Sequence, residues 1–134
     1  MTSKRPTAAR PPIQICESDA ERISDLALDL EPRQPQIAAL LLAEINRAKV
    51  VPDGKLPSDV AAMQSTIRFS DEASGTERTL QLVYPHEADI EQGRISILSL
   101  VGAGLLGLRP GQSISWPDRG EHERRLTVIE VTRG

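Results

Sequence analysis

Gly102, Gly104 and Gly107 stand in a G-x-G-x-x-G spacing directly after the apolar, β-prone run 95–100. That arrangement can bring a backbone close to a pyrophosphate at a helix N-terminus. The chemistry also needs a full helix crossing to a second parallel strand, with an acidic residue about 20 positions further on for the ribose. Pro110 and Gly111 end any helix within about two turns of Gly102, and the tail beyond them is too short for a mononucleotide-binding half. The glycines are therefore expected to serve packing. Gly102 and Gly104 would let a short helix lie close on a sheet, and Gly107 would cap it in the left-handed conformation.

The remaining reactive residue types are thinly spread. His86 and His122 lie far apart, and no H-x-x-x-H or C-x-x-C spacing exists, so neither a metal nor a cofactor is expected. Cys16 has no activating neighbour in sequence and reads as a small packed residue. Ser99 and Ser113 do not sit in a nucleophile elbow. Asp29 and Glu31 read as solvated charges near a helix end, beside Arg33, although they face the negative pole of their own helix. No catalytic residue is assigned, and the chain is read as a non-enzyme.

The elements that must position these residues follow from periodicity. Ser18-Asp19-Ala20-Glu21 has the form of a capping box opening a helix over 18–30, with Ile23, Leu26, Ala27 and Leu30 on one face. Glu31-Pro32-Arg33-Gln34-Pro35 interrupts it. A second helix over 36–49 carries Ile37, Leu40, Leu41, Glu44 or Ile45, and Ala48, so that residues 13–50 are expected to form a short antiparallel helical hairpin, roughly 18–21 Å long. Residues 51–57, with Pro52-Asp53-Gly54, read as a linker. Alternation then marks strands at 66–69 and 79–84, joined as a hairpin across a turn-rich stretch. A strand at 95–98, a short helix at 101–106, a turn at 108–111 and a strand at 112–116 come next. The last strand, 124–131, is apolar on both alternations and is expected to be central.

Composition bounds the rest. The chain has 134 residues, enough for one ordinary domain, here 58–134, with a small appendage. Phe69, Tyr84 and Trp116 are the only aromatic residues, so the core must rest on Leu, Ile, Val and Ala. A single cysteine excludes an internal disulfide and fits a reducing compartment. No stretch matches a membrane span or a signal-peptide core, so a cytoplasmic protein is expected. Lys4, Arg5 and Arg10 make the tail 1–12 basic, and its prolines suggest disorder. The remainder carries 13 basic against 19 acidic residues, a net charge of −6 and a poor direct partner for nucleic acid.

E-A-D-I-x-x-G-x-I-S from Glu87, followed by L-L-G-x-x-x-G from Leu105, resembles the C-terminal domain of the GreA/GreB transcript cleavage factors. Leu56-Pro57-Ser58-Asp59-Val60-Ala61-Ala62-Met63-Gln64-Ser65 and Leu82-Val83-Tyr84-Pro85 resemble the Rnk group of that family, small relatives named as regulators of nucleoside diphosphate kinase. The resemblance implies an α+β chain: a truncated coiled-coil finger followed by an FKBP-like antiparallel sheet domain with one short helix. It also implies RNA polymerase as partner, bound through the β′ subunit at the rim of the secondary channel.

In the family the docking surface lies around the strand-to-helix turn, which here is Leu98, Ser99, Leu100 and Val101. Leu100 replaces the usual proline, and the alternative is that Leu98 and Leu100 are core residues sharing one strand face. Family fingers carry acids at the tip that help to hold a catalytic Mg²⁺. Asp29 and Glu31 are the nearest candidates, with Arg33 beside them, but a finger of about 20 Å is too short to carry that role over. The resulting expectation is a monomer that binds polymerase and modulates elongation or competes with Gre factors, without cleaving transcripts. The alternatives are a regulator of nucleoside diphosphate kinase and a weak cleavage factor. An FKBP-like fold also suggests proline isomerisation, but three aromatics cannot line the pocket that activity uses.

Overall fold

The computed structural model describes residues 10–120 and 122–133. Two helices and a small strand pair come first, followed by a five-stranded sheet with one short helix, an α+β arrangement. Most of the expected disordered tail, 1–12, lies outside the described residues. Its last part is pinned, because Arg10 pairs with Glu44 at 2.9 Å.

Helix α1 (Glu17–Leu30) buries Ala20, Ile23, Ala27 and Leu30, a stripe at three- and four-residue steps. The expected capping box does not form. Cys16 occupies the N-cap without a side-chain bond, and Ser18 falls inside the first turn. The orphan amide of Ser18 donates to Asp53 Oδ1 at 3.0 Å, so the cap comes from a distant turn rather than from a local hydroxyl. Helix α2 (Pro35–Arg47) starts with Pro35, whose missing N–H costs nothing in a first turn, and buries Ala38, Leu41, Glu44 and Ile45.

Strands β1 (Gln14–Cys16) and β2 (Lys49–Val51) flank the helices and pair in parallel. The first lies inside the expected hairpin region, 13–50, and the second straddles its boundary with the expected linker, 51–57. Strands of three residues are too short to show an alternation, so only their pairing reveals them.

The larger sheet comprises β3 (Ser65–Asp71), β4 (Thr76–Val83), β5 (Arg94–Ser96), β6 (Ser113–Pro117) and β7 (Glu123–Arg133), in the order β5-β4-β3-β7-β6. The β3–β4 hairpin forms as expected. The sheet is mixed rather than antiparallel, because β5 runs parallel to β4 after the chain returns through 3-10 turns at Pro85–Glu87 and Ile90–Gln92. Strand β7 is interior as expected, but its doubled apolar pattern has another cause. The register shifts between Arg68, opposite Glu130, and Phe69, opposite Val128. Ile129 is thereby left over, and the core face passes from Leu126 and Val128 to Val131.

Trp116 and Phe69 are fully buried among Leu, Ile, Val and Ala side chains, with Tyr84 at the core margin. Helix α3 (Leu100–Leu105) can lie on Trp116 only because Gly104 has no side chain, since a Cβ there would stand 2.9 Å from the indole. Gly107 follows with φ +83°, the expected left-handed residue. The helical unit is fastened to the sheet at several points. Tyr84 donates its hydroxyl to Asp19 at 2.9 Å, Arg22 stacks on the Tyr84 ring, and Arg10 stacks over Trp116. Burial, and then the hydrogen bond to the Asp19 carboxylate, push the Tyr84 hydroxyl well above the usual phenol range.

Candidate docking site

The turn between β5 and α3 is built from hydrogen bonds of two serines. Strand β5 ends at Ser96, two residues earlier than expected, and Ile97 turns fully into the core. Leu98 then donates its N–H to Ser96 Oγ at 3.0 Å, and Ser99 Oγ donates to the Ser96 carbonyl at 2.7 Å. As N-cap of α3, Ser99 Oγ also accepts the Gly102 N–H at 3.1 Å. A side chain at Gly102 would overlap the Ser96 carbonyl oxygen, so the turn requires glycine there. Trp116 Nε1 donates to the Leu100 carbonyl at 2.8 Å and fixes the first residue of the helix.

This geometry interrupts strand alternation before it can place Leu98 and Leu100 on one buried face. Leu98, Ser99, Leu100 and Val101 are all half-buried, and the three apolar ones pack against the core. The turn lies between two grooves. One, of about 420 Å³, is bounded by Leu98, Ser99 and Leu100 on one side and by Gln34, Pro35 and Ile37 at the start of α2 on the other. The second, of about 450 Å³, is lined by Leu100, Val101, Asp71, Asp118, Arg119 and Arg124. Arg119 borders both. The beginning of α2 therefore lies beside the candidate docking turn.

The charged wall of the second groove is unevenly satisfied. Asp118 accepts the N–H groups of Gly120 and His122 at 2.8 and 3.0 Å, and those bonds, that of His122 foremost, hold its carboxyl below the usual range. Asp71 accepts the Ala73 N–H at 2.9 Å. Arg124 approaches Asp71 only to 3.7 Å, with side chains 9% and 8% exposed, and its Nε has no hydrogen-bond partner. Sequence reasoning missed Arg119 and Arg124. A signal for Arg124 existed, since it lies in phase with Leu126 and Val128 on the core-facing alternation of β7.

The other candidates do not join this site. Asp29, Glu31 and Arg33 are all exposed at the turn between α1 and α2, and among the described residues no ion pair joins them. Nor do the described residues contain a His, Cys, Asp or Glu cluster fit to hold a metal ion. Burial pushes the Cys16 thiol up, away from the thiolate. No helix among the described residues is long and apolar enough to cross a membrane.

A sheet with a serine-capped helix entry, preceded by two helices, defines a class. Residues 56–133 match the family model "Transcription elongation factor, GreA/GreB, C-term", and the chain belongs to that family. Residues 11–51 match the Rnk N-terminus, which places the chain in the Rnk branch. It is 38% identical over 128 residues to the "Regulator of nucleoside diphosphate kinase" of Escherichia coli (strain K12), covering 92% of this chain and 90% of that protein. The "Transcription elongation factor GreA" of Acidiphilium cryptum is 38% identical over 90 residues, covering 67% and 57% of the two chains. Among solved structures, a prokaryotic transcription elongation factor GreA/GreB from Nitrosomonas europaea superposes with a TM-score of 0.69 at 42% identity, covering 90% of this chain and 98% of that one.

Proposed function

We propose that this protein is a cytoplasmic, monomeric regulator of transcription elongation that binds RNA polymerase and does not cleave transcripts. Its sheet domain, read as FKBP-like, docks on the β′ subunit at the secondary-channel rim through Leu98, Ser99, Leu100 and Val101. The observation that carries this reading is the serine-fixed turn, which holds four half-buried residues at the edge of two grooves. A rigid apolar edge beside concave surface is what an interface anchor requires. The two helices, read as a shortened antiparallel finger, occupy the approach to the channel and compete with Gre factors or limit their access. Asp29 and Glu31 are solvated tip charges in this reading and hold no catalytic ion.

The test is size-exclusion co-migration of the purified protein with core RNA polymerase, with excess GreB as competitor and with Leu100→Asp. Co-migration lost under both conditions is expected. If the wild type fails to co-migrate at micromolar concentrations, the polymerase reading is wrong. The name of the Escherichia coli relative favours a second reading, regulation of nucleoside diphosphate kinase. It predicts a change in kinase activity when the two purified proteins are mixed without polymerase.

A further inference from the structure

We propose that Arg119 and Arg124 form a carboxylate receptor beside Leu100, which takes an acidic side chain of the docked protein partner; its use in docking rests on the polymerase reading above. A guanidinium offers five N–H donors in a planar fork, and Arg124 presents it from a side chain only 9% exposed. Its recorded anionic neighbour, Asp71, is 3.7 Å away, and its Nε is unpartnered. That Nε is fully buried, so an acceptor entering the groove would meet the terminal nitrogens of Arg124, which hold Asp71 only at long range. Arg119 stands exposed on the same groove, without an ion pair among the described residues.

The carboxylates of the groove are engaged through one oxygen each, whereas among the described residues neither arginine side chain donates a hydrogen bond. Asp118 Oδ1 receives two backbone N–H groups, Asp71 Oδ1 receives one, and Ser99 Oγ both donates and accepts within the turn. Two guanidiniums offer more N–H donors than the remaining Oδ2 atoms of Asp71 and Asp118 can use, which favours an acceptor-bearing group. A carboxylate suits the place better than a phosphate, because the walls include Asp71 and Asp118 and a second negative charge would meet them at short range. A monoanionic, planar carboxylate matches a guanidinium fork. Leu100 and Val101 cover the aliphatic stem of a Glu or Asp in the same cavity. Nucleic acid is disfavoured by the net charge of −3 on the whole chain.

Two measurements on the full-length protein test this. In the first, the Nε–Hε resonances of Arg119 and Arg124 are followed by NMR while sodium acetate, inorganic phosphate or a short RNA is added. A saturable shift with acetate, reached before phosphate or RNA has any effect, is expected. Phosphate or RNA acting at lower concentration, or no response to any of the three, overturns the receptor. In the second, affinity for core RNA polymerase is compared for wild type, Arg119→Ala, Arg124→Gln, Asp71→Asn/Arg124→Gln and Leu100→Asp. The double variant is included because Arg124→Gln alone strands Asp71 and can cost folding. Losses of about threefold for Arg119→Ala and about tenfold or more for the double variant are expected. If Leu100→Asp abolishes binding while the arginine variants bind as wild type does, the receptor is wrong and the docking surface stands. If acetate shifts both arginines but the wild type does not bind polymerase, the receptor stands and the polymerase reading fails.

Discussion

The two ends of the helix pair are built on opposite plans. At the base, where α2 ends, Glu44 is 1% exposed on its side chain and is held by Arg10 at 2.9 Å and by Arg47 at 2.7 Å. Arg47 engages both carboxylate oxygens and also donates to the Pro11 carbonyl. Arg10 in turn stacks over Trp116, so one cluster joins the N-terminal segment, α2 and the sheet core. At the tip, Asp29, Glu31 and Arg33 stand exposed. The base is fixed by buried charge, which sets where the end of α2 lies, whereas the tip is made of charge left in solvent. The groove shared by Gln34, Pro35, Ile37 and Leu98 shows the result, since the start of α2 is held beside the candidate docking turn.

The largest effect is expected at the base. Replacing both Arg10 and Arg47 by Ala leaves Glu44 buried without a cation, which should cost on the order of 3–5 kcal/mol in urea unfolding. Adding Glu44→Leu should restore most of that loss, because an apolar side chain then occupies an apolar stripe. A double variant as stable as wild type would show that the cluster does not fix the base. Gly104→Ala is the next test, since it separates fixing by charge from fixing by packing. Its new methyl would meet the indole of Trp116 at 2.9 Å, so a loss of about 1–3 kcal/mol is expected, read by the same unfolding curves.

These two sites also show what could be read from the sequence. The stripe of α1, the β3–β4 hairpin and the capping glycine at 107 rest on local periodicity or local turn chemistry and form as expected, and the strand-turn-helix around Leu98 to Val101 also forms, with its strand ending two residues early and its helix starting one residue early. What escaped depends on long-range partners. Ser18 has the form of an N-cap, yet Asp53, 35 residues away, supplies the acceptor. Arg10 looks like tail charge until Glu44 and Trp116 lie beside it. Strands β1 and β2 exist only as each other's partners. The candidate site was half legible for the same reason: its turn is one contiguous segment, whereas its arginine wall comes from the β6–β7 turn and the start of β7.

Asp53 offers a pH test of the same base, with a smaller effect. The Ser18 N–H holds the Asp53 carboxyl below the usual carboxylate range in the folded protein. A group depressed on folding contributes stability above its unfolded-state value and loses it as pH falls through the folded value. Asp53→Ala should therefore lower the melting temperature slightly at neutral pH, and the gap from wild type should close in acid. A gap that stays constant as the pH falls would rule out the ionised cap as its source.

The smallest expected change is at the tip, and it is the one that bears on function. Asp29→Ala and Glu31→Ala together remove two exposed carboxylates that face the negative end of α1, where anions are unfavourable. Stability should stay within about 0.5 kcal/mol of wild type, since exposed substitutions away from caps and pairs have little leverage. Affinity for core polymerase, set by the sheet domain in the proposed function, should be unchanged. Transcript shortening in backtracked complexes should be absent with wild type and double variant alike. Shortening by the wild type that disappears in the variant would transfer the chemistry to the tip and make this protein an accessory to cleavage.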